Sequence, residues 1–474
     1  MATNVTDRTE RARALMSSMR VAQPSVPRPP GPNGVRALLS MMTGRRAPHE
    51  FFEGLSNRHQ PVVHVSLGGE HVHVIFSPEA IWDVFVTNGR HTRKSRGLIL
   101  TRPLLGEGLL TADGASHLRH RRAIQPLFHN KRIDGYVGQM VAAGVTTDRS
   151  WSDGAHIDLA EAMSELTLDV IGRTIFGLDL RSEAHGVAQA LNTVLEGFAH
   201  GIGPLASPLS RVPTKRRQRE IRAIEELDAM VDDMIATRIS AIEQGALGSD
   251  LLSMLLTSTD DAGQPSFTPQ EVRDEAMTLV LAGHETTALT LTWSWHLLSS
   301  HPQWRDWLEP EVDALGDQPV QASDLAKLPR TYAVVAESMR LHPPAWIIGR
   351  WLDADLRVGG WDLPRGSVVL ASQYAMHRDP RFWPHAEQFR PDRWLRDGRF
   401  DERAPGVPRG VWFPFGFGTR RCIGEHFAWT EAVVLMATLA RRWRLDVQVP
   451  PDPPMMSAIT LRPDVPMPTV VRAR

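Results

Sequence analysis

One cysteine, Cys422, stands in a loop crowded with glycine and arginine, FPFGFGTRRCIGEH at residues 413–426. A lone sulfur cannot hold zinc or an iron–sulfur cluster without further ligands, and the chain has no CxxC pair. Spacing alone leaves three roles open. The residue is an inert buried thiol, a nucleophile, for which no His/Asn pairing is visible, or a thiolate ligand to a metal or a haem. The surroundings bear on the third. Gly416, Gly418 and Gly424 let the backbone turn tightly and approach a flat partner. Cys422 also falls just before a predicted helix, whose N-terminus favours an anion, and Arg420 and Arg421 add positive charge. The expectation is a stabilised thiolate.

Three other constellations carry charge into apolar surroundings. In VLAGHETTALTL, Gly283 interrupts a helical pattern at a cost of about 1 kcal/mol relative to alanine, and Glu285, Thr286 and Thr287 follow. This is either a polar face turned to solvent or a local break lining a cavity, with threonine hydroxyls freeing a backbone bond. Glu337 and Arg340 lie three apart, on one helix face. An exposed pair of this kind is worth little, but the flanks YAVVAESMRLHPP are apolar, and buried charges need partners. His117 and Arg121 lie on a basic helix, GASHLRHRRAI, whose plainest reading is a solvated face.

The elements that must position these residues follow from periodicity. Apolar residues recur at three and four positions through most of 115–245, from about Thr268 to Ser299, up to Leu341 and from about Gly424 to Arg442, and predict helices. Strands are predicted in VVHVSLGGEHVHVIF, with a hairpin turn at Gly68–Gly69, and in WIIGRWL, LRVGGWDLP, GSVVLAS and the tail AITLRPDVPM. GIGPLASPLSRVPT, residues 201–214, reads as a break. A breaker cluster at Pro24–Gly34 places the start of the fold, leaving residues 1–23 as a flexible arm and 24–474 as one large domain. The fold class is mainly α with a minor β part. Composition is that of a soluble protein, 42% hydrophobic and 23% charged with net charge −1, which gives no hint of a nucleic-acid partner. No apolar run reaches transmembrane length. A single cysteine fits a reducing, cytoplasmic setting.

Phe415-Gly-Phe-Gly-Thr-Arg-Arg-Cys422-Ile-Gly424 resembles the haem-binding loop of the cytochrome P450 family, F-x-x-G-x-R-x-C-x-G, at every fixed position. The resemblance implies haem b (iron protoporphyrin IX) with Cys422 as its axial thiolate. It also implies Arg420 on a propionate, Phe415 beneath the sulfur, and Gly424 among the glycines that give the haem room. AGHETT resembles the family's oxygen-activating helix, A/G-G-x-D/E-T-T/S, and implies that Glu285 and Thr286 are an acid–alcohol pair relaying protons. Glu337-Ser-Met-Arg340 resembles E-x-x-R, and Phe389-Arg-Pro-Asp-Arg393-Trp394 resembles F-x-P-x-R-F/W. Glu337, Arg340 and Arg393 are thereby implied to form a structural network. His117 and Arg121 match the W/H-x-x-x-R helix, whose arginine meets a propionate, with His117 where many relatives have tryptophan. Arg350 ends WIIGR at the place of another propionate arginine. These motifs span about two-thirds of the chain, in the family's order.

The implied activity is insertion of one oxygen atom from dioxygen into a hydrophobic small molecule, a terpenoid, fatty acid or polyketide. Peroxide-driven members typically lack the acid–alcohol pair; a peroxide-driven enzyme or isomerase and a non-catalytic haem sensor are the competing readings. Expected pocket walls are Leu98, Ile99 and Leu100; Leu279, Ala282 and Gly283; Ala345, Trp346 and Ile347; and Ile459, almost wholly apolar as a set. The chain has no flavin or iron–sulfur segment, so electrons are expected from a ferredoxin or flavodoxin-type donor and its NAD(P)H-dependent reductase, docking at Arg119, Arg122, Arg421 and Arg441.

Overall fold

The structure is a computed structural model that describes residues 5–19, 27–32, 47–56, 61–67, 70–181, 183–201, 214–246, 248, 250–259 and 262–474. The Gly68–Gly69 turn, most of the 201–214 break and part of the Pro24–Gly34 cluster lie outside the described residues. The longer helices are α1 (Val5–Ser18), α2 (Gly114–Ile124), α3 (Asn130–Ser150), α4 (Leu159–Ile171), α5 (Ala184–Gly201), α6 (Lys215–Glu243), α7 (Pro269–Ser300), α8 (Pro329–Leu341) and α9 (Glu425–Ala440). The chain is mainly α, with small sheets.

Helix α7 is the axis. Thr268 accepts from the Glu271 N–H at 3.2 Å while the Glu271 carboxylate accepts from the Thr268 N–H at 2.9 Å, and Pro269 sets the first turn. Helix α7 is buried along most of its length among α4, α6, α8 and α9, its polar residues included. It runs unbroken through Gly283, so the break considered from the sequence does not occur. The glycine serves packing instead. A Cβ there would come within 2.6 Å of Ile171 Cδ1, because α4 crosses α7 closely at that point.

A five-stranded sheet lies beside the helices. Its strands are β1 (Val62–Leu67), β2 (Glu70–Ile75), β3 (Thr92–Lys94), β4 (Ile348–Leu352) and β5 (Val368–Ala371), in the order β1-β2-β5-β4-β3. The antiparallel register of β3 on β4 sets Lys94 directly opposite Arg350. Near the C-terminus, β6 (Met455–Ser457) and β7 (Leu461–Pro463) form a hairpin.

Residues 5–18, assigned to a flexible arm in the sequence reading, form α1, which packs on α6 and on the short helix Arg102–Leu105. Val5, Arg8 and Ala12 are buried, and Arg8 pairs with Asp228 of α6. An ion pair with few apolar contacts holds this helix, which is why hydrophobic periodicity did not reveal it.

Glu337 of α8 is fully buried. Arg340 grips it bidentately, both bonds at 2.8 Å. Arg393 Nε (3.1 Å), the Trp394 indole N–H (2.8 Å) and the Arg390 N–H (2.9 Å) complete its shell. Burial works against this carboxylate, yet Arg340 and then Arg393 hold it below its ordinary range. Arg340 also donates to the carbonyls of His377, Ala386 and Gln388, so the pair fastens the irregular 377–390 segment to α8. His377 Nε2 in turn accepts from the Phe413 N–H at 3.1 Å, at the threshold of the cysteine loop. Arg340→Met is expected to destabilise the protein by about 3–5 kcal/mol, the effect of stranding one partner of a buried pair. Arg357→Met, at the exposed Asp362 pair, should change stability by only about 0.5 kcal/mol. Urea unfolding compares the two; equal effects would remove the network from its structural role.

Candidate active site

The cysteine loop is a tight turn ahead of α9. The Cys422 N–H donates to the Phe415 carbonyl at 2.9 Å, and the chain between them passes through Gly416 (φ 69°) and Gly418 (φ 67°). At Gly418 a Cβ would meet the Phe85 carbonyl oxygen at 2.2 Å, so both conformation and space demand glycine. Gly424 occupies the N-cap of α9. Phe415 is half-buried with its ring 5.9 Å from that of Trp429.

Cys422 is exposed, yet burial is the largest influence on its thiol and pushes it up to about 11. The Gly424 N–H, Arg121 and Arg421 pull the thiol down, while Glu425 pushes it further up. The stabilised thiolate expected from the sequence is therefore not what the protein alone provides. Arg420 turns away to Asp113, and Arg421 is engaged by Glu425. Desolvation wins unless a metal ion takes the sulfur, since a coordinating thiol is deprotonated outright.

Around this loop the fold gathers basic residues. Lys94 and Arg350 come from adjacent strands, Arg420 from the loop, and His117 and Arg121 from one face of α2. Lys94 is buried and held well below the ordinary lysine range, first by burial, then by Arg350 and Arg420. Arg350, buried over the Phe85 ring at 4.9 Å, is lowered to about 10 by burial and then Arg420. His117 is buried and lowered to about 3, by burial and then Arg420, Lys94 and Arg121. The carboxylate among them is Asp113, at the N-cap of α2. It leaves the helix end uncapped, accepting from the Lys94 N–H at 2.8 Å and pairing with Arg420. Arg121 donates to the Arg421 carbonyl at 2.9 Å. Neither Lys94 nor Asp113 was singled out from the sequence. The strand alternation around Lys94 carried no signal that a strand partner would be another cation.

On α7 one stretch is less covered than the rest. Ala282 is exposed although most of its helix is buried, and Gly283 and Thr286 are half-buried beside it. The Thr286 hydroxyl donates to the Ala282 carbonyl at 2.9 Å, one turn back. Glu285 is buried and accepts from the Thr460 hydroxyl at 2.7 Å.

Of the expected pocket walls, three groups are brought side by side. The Leu461 N–H donates to the Pro344 carbonyl at 2.9 Å, and the Trp346 indole N–H to the Ala458 carbonyl at 3.1 Å. This joins Ala345–Ile347 to the turn carrying Ile459, and Thr460 joins that turn to α7 near Leu279–Gly283. Trp346 is buried and fixed against Phe52 by these contacts; Ala345, Ile347 and Ile459 are half-buried. Leu98 and Leu100 are half-buried and Ile99 buried, not on a loop but on the short helix Arg96–Ile99 and its C-cap, beside β4. Among the arginines considered for docking, Arg119 pairs with Glu271, Arg421 with Glu425, and Arg441 donates to the Gln318 carbonyl, while Arg122 is exposed.

The description Cytochrome P450 belongs to the family model that matches residues 27–469. Cyclooctatin synthase of Streptomyces melanosporofaciens is 36% identical over 417 residues, covering 87% of this chain and 89% of its own. Cyclooctat-9-en-7-ol 5-monooxygenase of the same organism is 34% identical over 87% of this chain and 88% of its own. Pentalenene oxygenase of Streptomyces avermitilis is 34% identical over 86% and 89%. The chain belongs to the cytochrome P450 family, and its class is that of the P450 monooxygenases. Membership implies a haem-thiolate cofactor. Among the described residues no helix is long and apolar enough to cross a membrane.

The residues present fit such a group. The Cys422 thiol is free, and among the described residues the four cations around its loop pair with one carboxylate, Asp113, so two propionates would balance them. In the haem-free protein His117 gives a pH signature. Its ordinary value is 6.5 and its folded value about 3. Between these the unfolded chain binds a proton that the folded chain does not, so stability falls as pH falls through that window. His117→Asn should flatten the decline from about pH 7 to about pH 5 by up to about 1.4 kcal/mol per pH unit. Urea midpoints across that range measure it, and an unchanged slope contradicts the assignment.

Proposed function

We propose that this chain is a haem-thiolate monooxygenase that inserts one oxygen atom from dioxygen into a hydrophobic small molecule, with Cys422 as axial ligand. The carrying observation is the convergence of Lys94, Arg121, Arg350 and Arg420 on the Cys422 loop, with Asp113 the one carboxylate that pairs with them among the described residues. When bound, the haem supplies reductive cleavage of dioxygen and oxygen transfer to carbon. The chain supplies the rest. Lys94, Arg121, Arg350, Arg420 and His117 hold the propionates. The Arg340–Glu337–Arg393 network and His377 keep the cysteine loop in place from behind.

Above the site, Thr286 and Glu285 handle protons. With its own proton committed to the Ala282 carbonyl, the Thr286 hydroxyl keeps its lone pairs free to accept a hydrogen bond from the open side. Glu285, the next residue back, is an acid able to replace a proton passed along that line. The apolar residues of Ala345–Ile347, Ile459 and Leu279–Ala282 exclude water and favour a substrate without charge. A terpenoid is favoured over a fatty acid or polyketide, because the relatives include terpenoid-oxidising enzymes. Electrons come from a ferredoxin or flavodoxin-type donor fed by NAD(P)H.

Isotope labelling tests this reading. Cyclic terpene hydrocarbons and alcohols are screened for a shift of the ferric Soret band, and those that bind are turned over under ¹⁸O₂ with a ferredoxin, its reductase and NADPH. One ¹⁸O atom per hydroxyl group formed is expected. Oxygenation supported only by hydrogen peroxide, or no oxygenation of any ligand that binds, would contradict it.

A further inference from the structure

Glu285 is a buried carboxylate whose partner comes from far along the chain, 175 positions away. The donor is the hydroxyl of Thr460, itself buried, in the turn between β6 and β7. No ion pair to Glu285 forms among the described residues, so a neutral hydroxyl fixes the acid's orientation. A carboxyl group held by a neutral donor is held less firmly than one in an ion pair, and its geometry follows the donor.

The turn is small and tied down. The Ala458 N–H donates to the Thr460 carbonyl at 3.0 Å, closing it. Trp346 donates to the Ala458 carbonyl, and the Leu461 N–H donates to Pro344, so the turn moves with the 344–346 segment. Arg462, on β7, donates to Asn192 of α5 at 2.6 Å. Ile459, half-buried at the tip, immediately precedes Thr460. Contact at Ile459 therefore reaches the acid through one residue of rigid backbone. On the other side of the acid's own position, the His284 carbonyl accepts from Thr167 of α4 at 3.1 Å, so the α7 backbone is fixed while the Glu285 side chain follows the turn.

We propose that Thr460 is the positioning residue for Glu285, and that the β6–β7 turn couples what fills the apolar pocket to the orientation of the proton-handling carboxylate. This rests on the reading of Glu285 as a proton donor. Substrate pressing on Ile459 sets Thr460, Thr460 sets Glu285, and protons are delivered in step with substrate. An unsuitable ligand leaves the acid misplaced, and dioxygen then leaves as hydrogen peroxide, taking up two electrons from NAD(P)H and two protons without oxygenating the ligand.

The test compares Thr460→Val, which keeps shape but loses the donor, with Thr460→Ser, which keeps the hydroxyl, and Thr460→Ala should valine fail to fold. In Thr460→Val the substrate dissociation constant should stay within about twofold while product formed per NADPH falls about tenfold, the scale of one hydrogen bond to a charged group. Peroxide should rise in proportion, and serine should restore coupling. In a Glu285→Gln background, Thr460→Val should add nothing. Independently of turnover, the infrared carboxylate band of ¹³C-glutamate-labelled holoenzyme that is absent in Glu285→Gln should shift in Thr460→Val and return in Thr460→Ser. If Glu285→Gln uncouples but Thr460→Val neither uncouples nor shifts the band, the inference is overturned and the role of Glu285 stands. If Glu285→Gln itself leaves coupling unchanged, the reading of Glu285 fails and the inference falls with it.

Discussion

Lys94, Arg121, Arg350 and Arg420 lie close to one another and to His117, with Asp113 paired to Arg420, and that excess of partly buried positive charge is the constraint on which the site depends. Buried like charges oppose folding, each depressing its neighbours' protonation. The fold accepts this because the rest of the chain fixes the groups elsewhere. Strand register holds Lys94 and Arg350, a helix face holds His117 and Arg121, and Asp113 anchors Arg420. A bound dianion turns the same repulsion into attraction, so stability and cofactor retention become one quantity.

The sulfur obeys a parallel logic. Its loop is shaped by backbone contacts, from the Cys422–Phe415 hydrogen bond to the approach of Gly418 on Phe85. The thiol is raised by its burial, so the protein by itself favours the proton. Ligation, not the helix end or the neighbouring arginines, is what would make it a thiolate. Glu431 in α9, buried and pushed well above the ordinary range by desolvation, illustrates how strongly this interior disfavours a bare anion.

Much of this was legible in the sequence because its signals are local. The cysteine loop, the Glu337–Arg340 pair and the acid–alcohol residues each lie within a few positions, where spacing on a loop or helix fixes geometry. Helices α7, α8 and α9 announced themselves by period. The parts that escaped reading are assembled across the chain. Lys94 meets Arg350 only through strand register, and Glu285 meets Thr460 only through a turn far beyond it. Helix α1 is held by Arg8 and Asp228, a pairing with no periodic trace. Gly283 misled in a different way: its cause lies on α4, where the Ile171 side chain would have to shift to admit a Cβ.

The account turns on Cys422 as the iron ligand. The carbon monoxide difference spectrum of the reduced protein tests this most directly, taken on the wild type and on Cys422→Ser. The account predicts the strongly red-shifted Soret band of thiolate ligation in the wild type and its loss in Cys422→Ser. A band typical of histidine-ligated haem in the wild type, or no haem in well-folded protein, would contradict it.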